Sequence, residues 1–128
     1  MPAIMLDTCA LIWLVNGGGR ISEGTLKLIQ KADIVYVSAA TALEVGCKAA
    51  IKKLELPMDA EKWYSSVLSI HDLVEIPITG KTALFSASLP FIHKHPADRI
   101  IIATAILHRL PVVTHDSRFS RYSVDVLR

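Results

Sequence analysis

The stretch Ala3-Ile4-Met5-Leu6-Asp7-Thr8-Cys9-Ala10-Leu11-Ile12-Trp13-Leu14-Val15 constrains this chain more than any other, because it is one apolar run with a single acid in its middle. Ala3 to Leu6 is short and apolar enough for a buried strand. Ala10 to Val15 suits a short helix, with Asp7-Thr8 at the join. A carboxylate in such surroundings is costly to keep ionised unless it is paired, hydrogen-bonded or bound to a cation. An acid at a strand end between apolar runs has few structural uses, so Asp7 marks a place to look for chemistry.

The rest of the chain alternates strand and helix signals. Gly17-Gly18-Gly19 closes the first unit as a flexible turn, and Ser22 caps a helix from Glu23 to about Ala32. Ile34 to Val37 is a β-branched and aromatic strand ended by Ser38. A helix from Ala39 to about Leu54 carries Glu44 and stops before Pro57. Asp59 caps another from Ala60 to Ile70, with Trp63, Val67 and Ile70 facing inward. Leu73 to Ile78 is the third strand, Thr79 to about Ser88 a short helix, and Pro90 and Pro96 mark a loop. Ala97 to Arg109 is a very apolar helix suited to central packing. Pro111 to Thr114 is a short buried strand and Val124 to Leu127 a last edge strand. This order argues for an α/β fold in one domain spanning residues 1–128, with a mainly parallel sheet of four to five strands covered on both faces.

Composition bounds the partners. The 14 basic and 12 acidic residues leave a formal charge of +2, which excludes a strongly basic nucleic-acid binder without excluding nucleic acid. The clusters Lys48, Lys52, Lys53 and Arg118, Arg121, Arg128 read as solvated faces. A 52% hydrophobic chain leaves apolar surface for an oligomer or partner interface. Cys9 and Cys47 form no CxxC or zinc pattern and read as small buried thiols in a reducing compartment. The N-terminal run lacks a positive flank, contains Asp7 and is too short for a span. The expectation is a soluble cytoplasmic domain with no membrane partner.

In open parallel sheets, ligands collect at the carboxyl ends of the strands. Asp7 lies at the end of the first strand and Asp116 two residues beyond Thr114. Asp98 stands in the first turn of the helix leading into that strand, and Glu44 about two turns into the helix after the second strand. Each has an ordinary explanation alone: a helix-dipole acid for Asp98, a turn residue for Asp116, an i,i+4 pair with Lys48 for Glu44. Together, three of the four can be placed at one edge of the sheet and the fourth reaches toward it from a neighbouring helix, and such carboxylates would repel one another unless cations bind between them. Hard divalent ions with oxygen ligands fit that set, and such a site activates water and stabilises charge on a phosphoryl group.

These segments resemble PIN-domain ribonucleases, and among them the VapC-type toxins of type II toxin–antitoxin systems. Met5 to Trp13 is similar to the family's opening acidic motif, and Ser38 to Lys48 to the segment carrying its Glu and downstream Lys. His93-Lys94-His95-Pro96-Ala97-Asp98-Arg99 resembles its His-x-Asp-Pro-Phe-Asp-Arg block. Val113-Thr114-His115-Asp116 with Phe119 and Tyr122 resembles its closing motif. The resemblance implies a PIN-like α/β/α sandwich and an endoribonuclease dependent on Mg²⁺ or Mn²⁺. Asp7 and Asp98 would be the main metal ligands, with Glu44 and Asp116 binding directly or through water. Water would attack an RNA phosphodiester in line, leaving a 5′-phosphate and a 3′-hydroxyl. Thr8 and Thr114 would hydrogen-bond the acids or water, and Lys48 and Arg99 would contact phosphate or orient the acids. A homodimer and a cognate VapB-like antitoxin are implied as partners.

Two residues depart from the pattern. His95 stands in place of the block's first Asp and Ala97 in place of its aromatic residue, which bears on substrate contacts or loop packing more than on the metal. Rival readings fit less well. A receiver domain needs an acid after the third strand, where Ile76-Pro77-Ile78-Thr79-Gly80 has none. An Asp-nucleophile phosphatase wants a second Asp where Cys9 stands, and no acid-His pair completes a zinc site with His93 and His95. A catalytically silent PIN-like interaction domain is the remaining alternative, against which retention of all four acids argues.

Overall fold

A computed structural model describes residues 3–128. Five parallel strands form one sheet in the order β3-β2-β1-β4-β5, comprising β1 Ala3–Leu6, β2 Ile34–Ser38, β3 Leu73–Ile76, β4 Val112–Val113 and β5 Val126–Leu127. Six α-helices connect them: α1 Thr8–Val15, α2 Glu23–Lys31, α3 Ala39–Ala50, α4 Ala60–Ile70, α5 Gly80–Ser88 and α6 Pro96–His108. The α/β expectation holds, and the sheet is wholly parallel. From central β1 the chain steps out to β2 and β3, then returns to the other side as β4 and β5. The strand order therefore reverses between β1 and β4, the position where doubly covered sheets build their sites.

Strand side chains alternate between two cores, as the pleat requires. Ile4, Leu6, Val35, Val37 and Val113 face the layer of α1, α2 and α4, packing on Leu11, Ile29, Trp63 and Val67. Met5 and Val112 face the other layer, packing on Ile101, Ile102, Phe119 and Tyr122. Burial on both faces explains why these strands read as continuous apolar runs. Helix α3 serves both sides, with Val45 in the first core and Ala40 in the second.

Several helix starts follow the sequence closely. Ser22, Asp59 and Thr79 each accept the N–H of the third residue onward. Asp59→Ala is expected to cost about 1 kcal/mol in urea denaturation, the usual worth of such a cap. Gly19 holds φ +51°, and a Cβ there would lie 2.6 Å from Trp13 Cγ, so the glycine run is fixed by close packing on the indole. Gly19→Ala is expected to destabilise by more than 1 kcal/mol, since left-handed backbone and steric overlap act together.

Other boundaries differ. Helix α3 stops at Ala50, four residues short of Leu54. Lys52 adopts φ 60°, and the N–H groups of Lys53 and Leu54 return to Lys48 O at 2.9 and 3.3 Å. That reversal lets Leu54 and Leu56 fold back onto the first core. Strand β3 ends at Ile76, because Pro77 has no N–H for the ladder. Ile70 is 76% exposed rather than inward, since the last turn of α4 runs past the core before His71 ends it. No helix among the described residues is long and apolar enough to cross a membrane.

Candidate active site

Asp7 follows β1 directly and caps α1, its Oδ1 accepting the Ala10 N–H at 2.8 Å. The acid therefore has a structural use that the apolar run concealed. It is also only 5% exposed. Burial pushes its carboxyl up to about 6, against the pull of the Thr114 hydroxyl and the Ala10 N–H, and the charges of Asp98 and Glu44 add to the rise.

The other acids come from three further elements. Glu44 is buried on α3, where Thr8 Oγ1 donates to its Oε1 at 2.5 Å and Lys48 Nζ stands 3.9 Å from Oε2. Thr8 also lies 3.1 Å from the Thr41 hydroxyl, so a buried hydroxyl pair orients this glutamate. Asp98 sits in the first turn of α6, its carboxyl raised by burial and then by the Glu44 charge. Asp116 follows β4, and the Arg118 side chain holds its carboxyl down at about 2. Arg118 Nε and Nη2 donate to the two oxygens at 3.0 and 2.8 Å. Thr114 Oγ1 accepts the Asp116 N–H at 3.0 Å, tying the β4 end to the same corner.

His93 joins two of these acids. It is 1% exposed, and its Nε2 lies 2.9 Å from Asp116 Oδ2 and 3.1 Å from Asp98 Oδ2. Its Nδ1 accepts the His95 N–H at 3.2 Å, which places the ring hydrogen on Nε2, between the carboxylates. His95, which is half-exposed, directs Nδ1 toward Asp98 Oδ2 at 3.3 Å and Glu44 Oε2 at 3.9 Å. The departure from the family block thus falls among the acids themselves, not in the surrounding loop.

All four acids line one open cleft of about 810 Å³, with Thr8, Lys48, Lys94, Arg118 and the ring of Trp13 around them. Two trios bring their ligand atoms within 4.8 Å of one another: Glu44, His95 and Asp98, and His93, Asp98 and Asp116. Asp98 belongs to both. Asp7 shares the cleft and the mutual repulsion but belongs to neither trio. The donor set is oxygen-rich, and the raised carboxyls of Asp7 and Asp98 mark charge that this fold concentrates without a matching protein cation. A divalent cation fits that deficit.

Two sequence expectations are corrected. Arg99 does not face the cleft. It is buried with Nη1 on Pro90 O and His93 O and Nη2 on Ser86 O and Leu89 O, at 2.8–3.0 Å. These four bonds occupy its terminal donors and pin the loop that carries His93. Cys9 and Cys47 are both exposed rather than buried, Cys9 on the cleft wall. Arg118 stays on the solvated face, as expected, and from there clamps Asp116. The sequence reading also passed over His93 as a bridge. Its place five residues before Asp98 was a signal, but only the loop's return beneath β4 brings it to Asp116.

These carboxyl environments set a pH dependence for the cation-free protein. Asp7 ionises at about 6 when folded and near 3.8 when unfolded, so between those values the native state holds more protons. Stability then falls as pH rises through that window, by roughly 3 kcal/mol for a group this buried. Asp116 acts oppositely, its contribution present above the ordinary carboxylate range and lost as pH falls toward 2. Urea denaturation in chelator is expected to be harder at pH 4.5 than at pH 7.5, with the slope reduced in Asp7→Asn, which retains a capping oxygen.

Comparison with known proteins agrees with this architecture. The PIN domain family model matches residues 4–125. The chain is 30% identical over 119 residues to Ribonuclease VapC22 of Mycobacterium tuberculosis (strain ATCC 25618 / H37Rv), covering 92% of this chain and 90% of that protein. Among solved structures, VapBC2 from Rickettsia felis bound to a DNA fragment from its promoter superposes with TM-score 0.70 at 18% identity, covering 98% of this chain and 97% of that one. VapBC-5 from Mycobacterium tuberculosis superposes with TM-score 0.64 at 21% identity, covering 100% and 99%.

Proposed function

The chain belongs to the PIN domain family, and from that premise we propose that it is an endoribonuclease dependent on Mg²⁺ or Mn²⁺, acting as the toxin of a toxin–antitoxin pair. The observation that carries the reading is the gathering of Asp7, Glu44, Asp98 and Asp116 from four separate elements into one cleft at the carboxyl ends of β1 and β4. Likeness to a ribonuclease over nine-tenths of both chains supports the same activity.

Asp98, Asp7, Glu44 and Asp116 would hold the ion. When bound, a divalent cation screens the phosphodiester, lowers the pKa of water and stabilises charge on the leaving oxygen. The chain's own residues do the rest. Thr8 fixes the Glu44 carboxylate, and Thr114 positions Asp7 and the Asp116 backbone. His93 Nε2 hydrogen-bonds Asp116 and stands 3.1 Å from Asp98 Oδ2, which keeps the two acids side by side. Lys48, Lys94 and Arg118 ring the cleft and offer charge to the phosphates flanking the scissile bond. A VapB-like antitoxin and a second copy of the chain complete the proposal as protein partners, with exposed Leu43, Ile51, Leu84 and Phe91 as apolar surface available for them.

The test is to incubate antitoxin-free protein with structured RNAs in Mg²⁺, in Mn²⁺ and in chelator, mapping the ends. The expected result is cleavage in either ion, none in chelator, and 5′-phosphate products. Cleavage that survives chelation sinks the reading, while intact RNA in both ions favours a silent interaction domain.

A further inference from the structure

We propose that the imidazole of His95 is a nitrogen ligand of the cleft's cation, and that it biases the site from Mg²⁺ toward first-row transition ions, Mn²⁺ among them. The inference rests on the metal dependence proposed above and concerns which residues reach the ion.

His95 occupies the N-cap of α6, where Ser, Thr, Asp and Asn are favoured because their short side chains accept a backbone N–H. Its side chain makes no such bond. The ring turns into the cleft instead, with Nδ1 at 3.3 Å from Asp98 Oδ2 and 3.9 Å from Glu44 Oε2. An i,i+3 pair at this exposure stabilises a helix little, so capping and pairing leave the choice of histidine unexplained. The spacings do suit ligation, because neighbouring ligands around a six-coordinate ion sit about 3 Å apart. The His95–Asp98 spacing is near such an edge, and the ligand atoms of Glu44, His95 and Asp98 all lie within 4.8 Å of one another before any ion binds.

The second histidine cannot supply this nitrogen in its present state. His93 spends Nδ1 on the His95 N–H and directs its Nε2 hydrogen at Asp98 and Asp116. It donates to Asp116, whereas no hydrogen bond occupies His95 Nδ1, so the tautomer protonated on Nε2 offers that nitrogen's lone pair to an ion entering between it and the acids. That imidazole adds no negative charge, which matters to small, hard, oxygen-seeking Mg²⁺. It adds a more polarisable donor, which first-row transition ions, Mn²⁺ included, accept more readily than Mg²⁺ does.

The experiment uses the full chain loaded with Mn²⁺ and read by pulsed EPR for nitrogen coupling, with calorimetric affinities for Mn²⁺ and Mg²⁺. His95→Asp restores a favoured cap and should fold, and His95→Ala removes the donor without replacing it. The expected result is nitrogen coupling in the wild type and none in either variant, with the Mn²⁺-over-Mg²⁺ preference falling about tenfold in His95→Asp. Coupling unchanged in both variants, or an unchanged preference, overturns the proposal. Coupling without RNA cleavage keeps the ligand assignment and removes the ribonuclease reading. Cleavage in either ion with no nitrogen coupling does the reverse.

Discussion

Asp98→Asn is expected to reduce RNA cleavage by about a thousandfold, some 4 kcal/mol of transition-state stabilisation, while leaving the protein folded. Asp98 is the one acid common to both trios that can surround an ion, so its charge serves every placement the cleft offers. Its carboxyl is raised by burial and by Glu44, which means that in the cation-free protein its charge is a cost. Asparagine keeps the shape and an oxygen that can face His93 Nε2, and it removes the repulsion. The cation-free variant should therefore match or exceed wild-type stability in urea, and its affinity for Mn²⁺ should drop roughly 10- to 100-fold. Cleavage within tenfold of wild type would remove Asp98 from the centre of the site. Lost cleavage with unchanged Mn²⁺ affinity would move it from ligand to substrate contact.

Much of this was legible in the chain because burial on both sheet faces writes strands as unbroken apolar runs. Ile34 to Val37 and Val112-Val113 could be placed on that basis, and with them the edge where Asp7 and Asp116 emerge. What misled was reading each polar residue by its neighbours in sequence. Asp7 looked structurally idle because its partner, the Ala10 N–H, is a backbone group that composition cannot display. Arg99 beside Asp98 suggested a shared role, yet successive helical residues point some 100° apart, and Arg99 faces the α5 side. His93 appeared as the start of a motif, while its chemistry comes from a carboxylate 23 residues later. Cys9 and Cys47 looked buried because their neighbours are apolar, but both fall on the outward stripes of short helices. Periodicity places elements, whereas long-range hydrogen bonds decide which residue meets which.

Arg99→Ala should give the largest loss of stability of any change considered, on the order of 3–5 kcal/mol. The guanidinium is 5% exposed and serves four carbonyls, of Ser86, Leu89, Pro90 and His93, that end α5 and line the loop to α6. No carboxylate among the described residues pairs with it, so its charge is balanced by carbonyl dipoles and by the Phe91 ring 4.3 Å from Cζ. Alanine would leave those acceptors unpaired in a space too irregular for one backbone rearrangement to satisfy. Arg99→Lys keeps the charge but has no planar fork, so it should recover only part of the loss. The effect on the site is separable from the effect on the fold. Because Arg99 holds His93 O, a folded Arg99→Lys protein should loosen the His93 bridge and cleave RNA more slowly, with most of the change in kcat rather than KM. Urea midpoints for both variants, set beside cleavage at a temperature where each is fully folded, distinguish the two. Wild-type kcat in a destabilised lysine variant would confine Arg99 to the fold and leave His93 anchored by the Tyr122 hydroxyl, which accepts its N–H at 2.8 Å.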